Sequence, residues 1–322
     1  MSDEYAIKVE QLEKRFGHFT AVDKITFNVH SGSIFGLLGA NGAGKSTTIR
    51  MLCGLLPPSG GSARVAGVDV NTKPERVKRS IGYMSQEFSL YKDLTVDENI
   101  RFFGGVYGLS NSKLRERREW ILSMSGLGER HNSLTSELSG GMKQRLALGC
   151  AVIHSPQLVF LDEPTGGVDP VSRREFWRLI NQFAAEGTTV LVTTHYLDEA
   201  EYCNSIVFMH AGEIVASGSP AYIKREYRKG DFSEIICDRP LEAVSLLKQD
   251  SQVVDVSLFG TRVHLHGNLP AELIRTKLER AGLKVDSLQP IQPGLEDVFI
   301  GLIEQTRESR PGGDKLQGTQ SE

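Results

Sequence analysis

Residues 33–56 read SIFGLLGANGAGKSTTIRMLCGLL and decide the fold class. The apolar run at 34–38 predicts a buried strand, and the residues after 47 predict a helix. GANGAGKST at 39–47 lies between them and fits the pattern G-x-x-x-x-G-K-[ST], which requires a strand before it and a helix after it. This arrangement predicts a loop that binds the phosphates of a nucleotide at the start of a helix.

The residue types of this loop suit an anion. Its glycines allow the backbone to curl so that successive N–H groups face a phosphate. Lys45 supplies a positive charge to the β- and γ-phosphates, and the Ser46 hydroxyl can bind Mg²⁺. The stretch does not fit G-x-G-x-x-G, which disfavours a dinucleotide oxidoreductase, and a plain glycine turn is the structural alternative. The predicted nucleotide-binding residues of the loop are Gly39, Asn41, Gly42, Gly44, Lys45, Ser46 and Thr47.

The segment LVFLDE at 158–163 predicts the second half of this site. A buried strand that ends in Asp162 and Glu163 places two carboxylates at the carboxyl edge of a sheet, where open α/β folds bind ligands. One of them can hold Mg²⁺ through water, and the other can orient and deprotonate an attacking water. A strand ending in Asp-Glu is often only structural, but the phosphate loop upstream favours the functional interpretation.

The rest of the first two-thirds indicates an α/β domain with a largely parallel sheet. Apolar runs at 33–38, 80–84, 157–161 and 188–194 are typical of strands covered on both faces. Between about 88 and 155 the pattern is helical, which predicts a helical subdomain inserted into the sheet domain. We expect the nucleotide-binding domain to span 1–225.

The remainder of the chain predicts a small α+β domain at 232–305. The predicted order is βαββαβ, as in a ferredoxin-like domain, followed by an amphipathic helix whose apolar positions begin at Leu295. His264 and His266 fall on one face of a predicted strand, and without an evident third ligand we expect them on a solvated face rather than in a metal site. Residues 306–322 have little apolar content and predict a disordered tail. The predicted elements are strand 233–238, helix 241–249, strands 252–259 and 261–266, helix 270–281 and strand 284–289.

Composition narrows the possible functions. The 322 residues include 37 Lys and Arg against 40 Asp and Glu, a formal charge of −3, so no broad basic field favours nucleic-acid binding. No CxxC pair and no secretory start are present, which favours a cytosolic, reduced protein. No apolar run approaches the ~18 residues of a membrane-spanning helix, so a membrane role requires a separate partner chain.

Four further segments carry a family resemblance. LSGGMKQR at 138–145, LDEPTGGVDP at 161–170 and TTH at 193–195 follow YMSQ, which ends at Gln86. This set, in this order, resembles the ATP-binding subunits of ABC transporters and covers about residues 1–225. THYLDEAE at 194–201 and PGLEDVFI at 293–300 resemble the drug, lipid and polysaccharide exporter branch, with daunorubicin-resistance-like ATPases as the nearest relatives.

The resemblance implies roles for residues that have ordinary structural explanations when taken alone. Gln86 resembles the glutamine that contacts Mg²⁺ and the attacking water, and His195 resembles the histidine that reaches the γ-phosphate. Phe16 falls where the family stacks an aromatic ring on adenine, although a core phenylalanine is the alternative. The family's signature sequence closes over ATP bound to the opposite subunit, and this implies a head-to-tail dimer. The residues expected at that dimer site are Ser139, Gly140, Gly141 and Asp169.

These features predict the MgATP-hydrolysing subunit of an ABC exporter, with Glu163 as general base. The resemblance implies a second ATPase subunit and separate transmembrane permease subunits that dock beside Gln86 and the segment EFSLYKDLT at 87–95. We then expect the chain on the cytoplasmic face of the cell membrane. The alternatives are a soluble ABC ATPase that acts on DNA or ribosomes, and an ATP-sensing module without turnover. The single cassette without a basic tail argues against the first, and the intact Glu163 and His195 argue against the second.

Overall fold

A computed structural model describes residues 4–86, 90–226 and 231–308. The chain divides into two compact units; the first ends at Ser219 and the second begins at Pro220. In its described residues, the first unit combines two sheets with six α-helices. Its strands are β1 (Tyr5–Phe16), β2 (Phe19–His30), β3 (Ile34–Leu38), β4 (Gly60–Val65), β5 (Val68–Asp69), β6 (Ile81–Met84), β7 (Leu158–Asp162), β8 (Thr189–Thr194), β9 (Ser205–His210) and β10 (Glu213–Gly218). Its helices are α1 (Lys45–Leu52), α2 (Pro74–Ser80), α3 (Val96–Val106), α4 (Asn111–Ser125), α5 (Gly140–Ala151) and α6 (Pro170–Ala185).

The central sheet places the functional loops side by side. Its strand order is β10-β9-β3-β8-β7-β6, and all neighbours run parallel except the antiparallel edge strand β10. Every residue of β3, β7 and β8 is buried, as expected for strands covered on both faces. The four strands predicted from apolar runs are therefore confirmed. Because β3, β7 and β8 are adjacent and parallel, the loops that leave their carboxyl ends meet at one edge.

A second, antiparallel sheet has the order β2-β1-β4-β5. It shares a hydrophobic core with the central sheet through residues such as Val9, Ile49 and Val207. The sequence patterns did not single out its strands, because β1 carries several register shifts against β2 that break simple alternation. Its hairpin between Phe16 and Phe19 lies close to the phosphate loop.

The predicted helical insertion is present as α3, α4 and α5. A capping box begins α3 at Thr95, whose side chain accepts from the backbone N–H of Glu98 while the Glu98 carboxylate accepts from the Thr95 backbone N–H. Within the described residues, no helix is long and apolar enough to cross a lipid bilayer.

The second unit has the predicted βαββαβ order. Its elements are α7 (Pro220–Glu226), β11 (Asp231–Cys237), α8 (Pro240–Leu247), β12 (Val253–Phe259), β13 (Arg262–Gly267), α9 (Ala271–Arg280), β14 (Val285–Pro290) and α10 (Leu295–Glu308). The sheet is antiparallel throughout, with the strand order β12-β13-β11-β14. The helices α8 and α9 pack on the sheet and enclose a core that includes Ile235, Leu247 and Leu278.

Two expectations about this unit need correction. The helix α10 continues to Glu308, so 306–308 are helical rather than part of the predicted tail, and 309–322 lie outside the described residues. His264 does not lie on a solvated face, because its side chain is only 10% exposed and its Nδ1 lies 2.7 Å from Asp297 Oδ1 of α10. An isolated strand pattern could not reveal the helix that packs on it.

Candidate functional site

The phosphate loop joins β3 to α1, and its shape depends on glycine. Gly39, Gly42 and Gly44 have φ angles of 149°, 80° and 104°, which L side chains rarely adopt. A Cβ at position 39 would lie 2.3 Å from the Met209 carbonyl oxygen, and one at position 44 would lie 2.6 Å from the Ala21 carbonyl oxygen. Glycine is therefore required at positions 39 and 44 for two reasons: the positive φ angle, and the neighbouring backbone that leaves no space for a Cβ.

Lys45 lies in the middle of this site with its side chain 4% exposed. Its Nζ donates to the carbonyl oxygens of Gly39 at 2.8 Å and Ala40 at 3.2 Å, and lies 3.3 Å from Glu163 Oε1. The loop carbonyls hold the ammonium group above the loop, where the backbone N–H groups and the positive end of α1 favour an anion. The predicted role of Lys45 as a phosphate-binding cation fits this geometry.

Asp162 connects the end of β7 to the phosphate loop. Its side-chain Oδ1 accepts hydrogen bonds from Ser46 Oγ at 3.0 Å and from Thr193 Oγ1 at 2.7 Å. Thr193, on the neighbouring strand β8, also accepts the backbone N–H of Glu163 through its hydroxyl at 2.9 Å. The sequence analysis missed Thr193, and its position in the TTH segment two residues before His195 was the available signal.

Three predicted site residues have side chains that meet at the Glu163 carboxylate. Gln86 Nε2 donates to Glu163 Oε2 at 3.1 Å, His195 Nδ1 lies 3.3 Å from the same oxygen, and Lys45 approaches the other oxygen. The Glu163 backbone has a φ of 47°, an uncommon left-handed conformation for a non-glycine residue. The chain therefore turns sharply after Asp162, and the two adjacent carboxylates have separate sets of partners.

A cavity of about 350 Å³ opens in front of these groups. Two aromatic side chains from the β1–β2 hairpin line it, Phe16 at 50% exposure and Phe19 at 64% exposure. Exposed rings beside a phosphate loop are available to stack on a base, and such exposure argues against the core alternative for Phe16. Sequence reasoning missed Phe19, which pairs with Phe16 across the hairpin. The cavity also contacts Ala21, Asn41, Gly42, Gly44, Lys45, Ser46, Thr47, Gln86 and Glu163.

The remaining predicted nucleotide ligands are elsewhere in the chain. Ser139 caps α5 by accepting the backbone N–H of Met142 at 3.3 Å, and it is exposed. Asp169 caps α6 by accepting the backbone N–H groups of Val171 and Ser172. Ser139, Gly140, Gly141 and Asp169 do not line the cavity. A single chain therefore holds the phosphate loop and the carboxylates together but not the signature segment.

The oxygen donors around Asp162 fit a magnesium ion. Mg²⁺ prefers hard oxygen ligands and is typically held by one or two protein groups together with waters and substrate phosphates. Ser46 Oγ and Asp162 Oδ1 lie 3.0 Å apart at the edge of the phosphate loop, and Gln86 faces the same cavity. Among the described residues, no cluster of three or more His, Cys, Asp or Glu side chains could hold a metal. The donor set therefore suits an ion shared with a bound phosphate rather than an all-protein metal centre.

The surroundings of Asp162 are poorly hydrated. Burial raises the pKa of Tyr83 to about 12, and the charge of Asp162 adds to that shift. Burial also raises the pKa of Cys53 well above its ordinary value, with Asp162 again contributing. A negative charge in such a region interacts strongly with nearby cations and hydroxyl groups, because water screens it weakly.

The fold and site define a nucleotide-binding cassette with a P-loop. The sequence model of the ABC transporter family matches residues 22–166. The chain is 49% identical over 223 residues to the probable multidrug ABC transporter ATP-binding protein YbhF of Escherichia coli K12, an alignment that spans 69% of this chain and 39% of YbhF. It is 37% identical over 307 residues to the daunorubicin/doxorubicin resistance ATP-binding protein DrrA of Streptomyces peucetius, which covers 92% of each.

The solved structures agree with this assignment. The ATP-binding cassette MJ0796, a dimer in a post-hydrolysis state bound to ADP and Pi, matches with a TM-score of 0.61 at 25% identity and covers 66% of this chain and 98% of that one. This chain belongs to the family of ABC transporter ATP-binding proteins. The resemblance drawn from the motifs and the predicted fold class are therefore confirmed.

Proposed function

We propose that this chain is the ATP-hydrolysing subunit of an ABC exporter. The observation that carries the proposal is the convergence of Lys45, Gln86 and His195 on the Glu163 carboxylate beside a phosphate loop. Attack of water on a γ-phosphate requires such an arrangement. The base Glu163, the cation Lys45 and the polar groups of Gln86 and His195 lie close enough together to act on the same bound water and phosphate.

The proposed substrate position follows from the cavity. Phe16 and Phe19 would stack on adenine, while the N–H groups of residues 39–47 bind the phosphates and Lys45 binds the β- and γ-phosphate oxygens. Ser46, Asp162 and Gln86 would hold Mg²⁺, which neutralises charge on the phosphates when bound. Thr193 keeps Asp162 oriented toward Ser46 in this arrangement.

Glu163 is placed to act as general base. Its carboxylate accepts a proton from a water that attacks the γ-phosphorus in line, and ADP leaves as phosphate forms. Gln86 and His195, which both contact Glu163 Oε2, orient that water and the γ-phosphate. The loop geometry after β7 directs Glu163 into the cavity while Asp162 faces the Ser46 hydroxyl.

We propose that the working unit contains a second ATPase subunit. Ser139 and Gly140 are exposed at the start of α5, where a hydroxyl and free N–H groups suit an anion. They do not line the cavity of their own chain, so they are available to complete the site of a partner in a head-to-tail dimer. Asp169 would lie at the same seam. The dimeric post-hydrolysis cassette MJ0796 supports this proposal.

The exporter role requires separate transmembrane permease subunits, which would bind this chain at the cytoplasmic face of the membrane. The names of YbhF and DrrA, a probable multidrug transporter protein and a drug-resistance protein, support the exporter branch. The proposed docking region begins beside Gln86, although 87–89 lie outside the described residues. Shortly after this segment of the chain, Tyr91 is exposed and contacts the exposed Phe102 edge to face, with 4.6 Å between the ring centroids. The two rings provide an apolar surface for a partner.

The test combines turnover with partner identification. Purified chain is assayed for phosphate release from MgATP, and the native complex is extracted in mild detergent and analysed by mass spectrometry. We expect hydrolysis and a co-purifying polytopic protein that stimulates it. Recovery of ribosomes or DNA instead would move the ATPase to the soluble class, and nucleotide binding without phosphate release would indicate an ATP sensor.

A further inference from the structure

The mechanism above leaves one fully buried carboxylate without a role. Glu199 lies in the short 3-10 helix Glu199–Tyr202, and its side chain has no solvent exposure. Its Oε1 accepts a hydrogen bond from Thr165 Oγ1 at 2.5 Å and lies 3.5 Å from Arg173 Nε. Its Oε2 has no hydrogen-bond partner among the described residues. Burying a charged group that is only partly paired is unfavourable for stability, so this carboxylate calls for an explanation beyond packing.

Glu199 connects the loop that follows β7, which contains Glu163, to the loop that follows β8. Thr165 lies two residues after Glu163, in the loop that leads to the α6 cap at Asp169. Glu199 itself lies four residues after His195, in the loop that follows β8. The 2.5 Å hydrogen bond therefore joins the loop that carries the general base to the loop that carries the histidine.

A second set of contacts extends from Glu199 to the His195 ring. Arg173 lies beside Glu199 and places its guanidinium 4.0 Å from the centroid of the Tyr196 ring. The Tyr196 ring in turn lies 4.1 Å from the His195 ring. A planar guanidinium restricts the position of the aromatic ring beneath it. The orientation of Tyr196, and with it the space open to His195, thus depends on Arg173, which pairs with Glu199 at 3.5 Å and with Asp198 at 3.8 Å.

We propose that Glu199 is a positioning residue for ATP hydrolysis, which fixes the loop after Glu163 through Thr165 and the His195 ring through Arg173 and Tyr196. The inference rests on the proposed ATPase function. The hydrogen bond from Gly166 N to Glu163 O at 3.2 Å transmits the first restraint to the base, and the contact of His195 Nδ1 with Glu163 Oε2 transmits the second. Neither contact involves the phosphate loop, so Glu199 should affect turnover and leave nucleotide binding unchanged.

The first test removes the Thr165 hydroxyl. Thr165→Val keeps the side-chain shape but cannot donate to Glu199, whereas Thr165→Ser retains the donor. Thr189→Val is the matched control, because Thr189 is also buried and its Oγ1 accepts a hydrogen bond from Gly32 N at 2.9 Å, at the opposite end of the sheet from the carboxyl-edge loops. All three variants are compared with wild type in kcat, KM for MgATP and melting temperature.

We expect Thr165→Val to lower kcat by about ten- to hundredfold at nearly constant KM, because small displacements of reacting groups cost this much. Thr165→Ser should restore most of the loss, and Thr189→Val should lower the melting temperature without changing kcat per folded molecule. Equal kcat values for Thr165→Val and Thr189→Val would overturn the positioning role while leaving the ATPase intact. Absence of phosphate release by wild type would remove the proposed function and the inference together.

A second test does not depend on the Thr165 variants folding. Arg173→Lys keeps the charge but loses the planar group over Tyr196, and Arg174→Lys makes the same change at an exposed neighbour. We expect Arg173→Lys to lower kcat in the wild-type background and to have little further effect in a Tyr196→Leu background, while Arg174→Lys is neutral in both. An equal fold-change for Arg173→Lys in the two backgrounds would show that Arg173 does not act through Tyr196 and would contradict the proposal.

Discussion

Replacing Glu163 by glutamine tests the central assignment of the proposed mechanism. The change keeps the size of the side chain and one oxygen that can still accept from Gln86 Nε2 or His195 Nδ1. It removes the ability to take a proton from water and the negative charge 3.3 Å from Lys45 Nζ. Lys45 keeps its hydrogen bonds to the carbonyl oxygens of Gly39 and Ala40, so the phosphate loop retains its shape.

The expected loss of turnover follows from the base role. General base catalysis contributes about 10²–10⁴-fold, so Glu163→Gln should raise the barrier by about 2.7–5.4 kcal/mol. Affinity for MgATP should be unchanged or slightly higher, because the substitution removes a competitor for the Lys45 charge. With ATP bound and hydrolysis blocked, the variant should accumulate as a dimer.

Three measurements decide the outcome. Phosphate release gives kcat, titration with a fluorescent ATP analogue gives the dissociation constant, and light scattering with MgATP gives the dimer fraction. Glu75→Gln is the control, because it makes the same chemical change at an exposed residue of α2 that does not line the cavity. Turnover by Glu163→Gln within threefold of wild type would refute the assignment of Glu163 as base.

Three further predictions address the dimer, the second unit and pH. Ser139→Arg should abolish ATP-dependent dimerisation in light scattering while ATP binding persists, with about 1 kcal/mol lost from the α5 cap. Asp297→Asn removes the charge that hydrogen-bonds to His264 Nδ1 and should speed hydrogen exchange of the α10 amides by weakening a contact worth about 1–3 kcal/mol. Burial lowers the pKa of His154, which stacks on Tyr107 at 3.7 Å, from 6.5 to about 4. Between these two pKa values the unfolded chain binds more protons than the folded chain, so the folded state loses stability as pH falls from about 6.5 toward 4. His154→Phe should therefore weaken the dependence of the melting temperature on pH in this range.

The features predicted best from sequence are those that local interactions determine. The positive φ angles of Gly39 and Gly44 belong to the phosphate loop itself, and one short segment contains the strand, loop and helix of this motif. In the second unit, six short elements with clear apolar periods fall within two residues of their predicted bounds. Both cases depend on residues close together in the chain.

Two of the features that sequence reasoning missed depend on partners far along the chain. Thr193 contributes to the site because its hydroxyl donates a hydrogen bond to Asp162 on the neighbouring strand. His264 is buried because α10 packs on the strand that contains it. The helical residues 306–308 were assigned to the tail because apolar content ends there, yet backbone hydrogen bonding continues for another turn. Periodicity reports which face of an element is apolar, but it does not report what covers the polar face.

The sequence by itself determined the chemistry of this protein: a phosphate loop, two carboxylates after a buried strand, and a set of motifs that define the family. Only the tertiary structure decided that Gln86 and Glu163, which are 77 positions apart, hydrogen-bond to each other, and that Ser46 reaches Asp162 across 116 positions. It also decided that Glu199 is buried between the loops that follow β7 and β8. The physical reason is that residue type and local spacing set backbone conformation and chemical capacity, whereas the packing of parallel strands sets which loops share an edge.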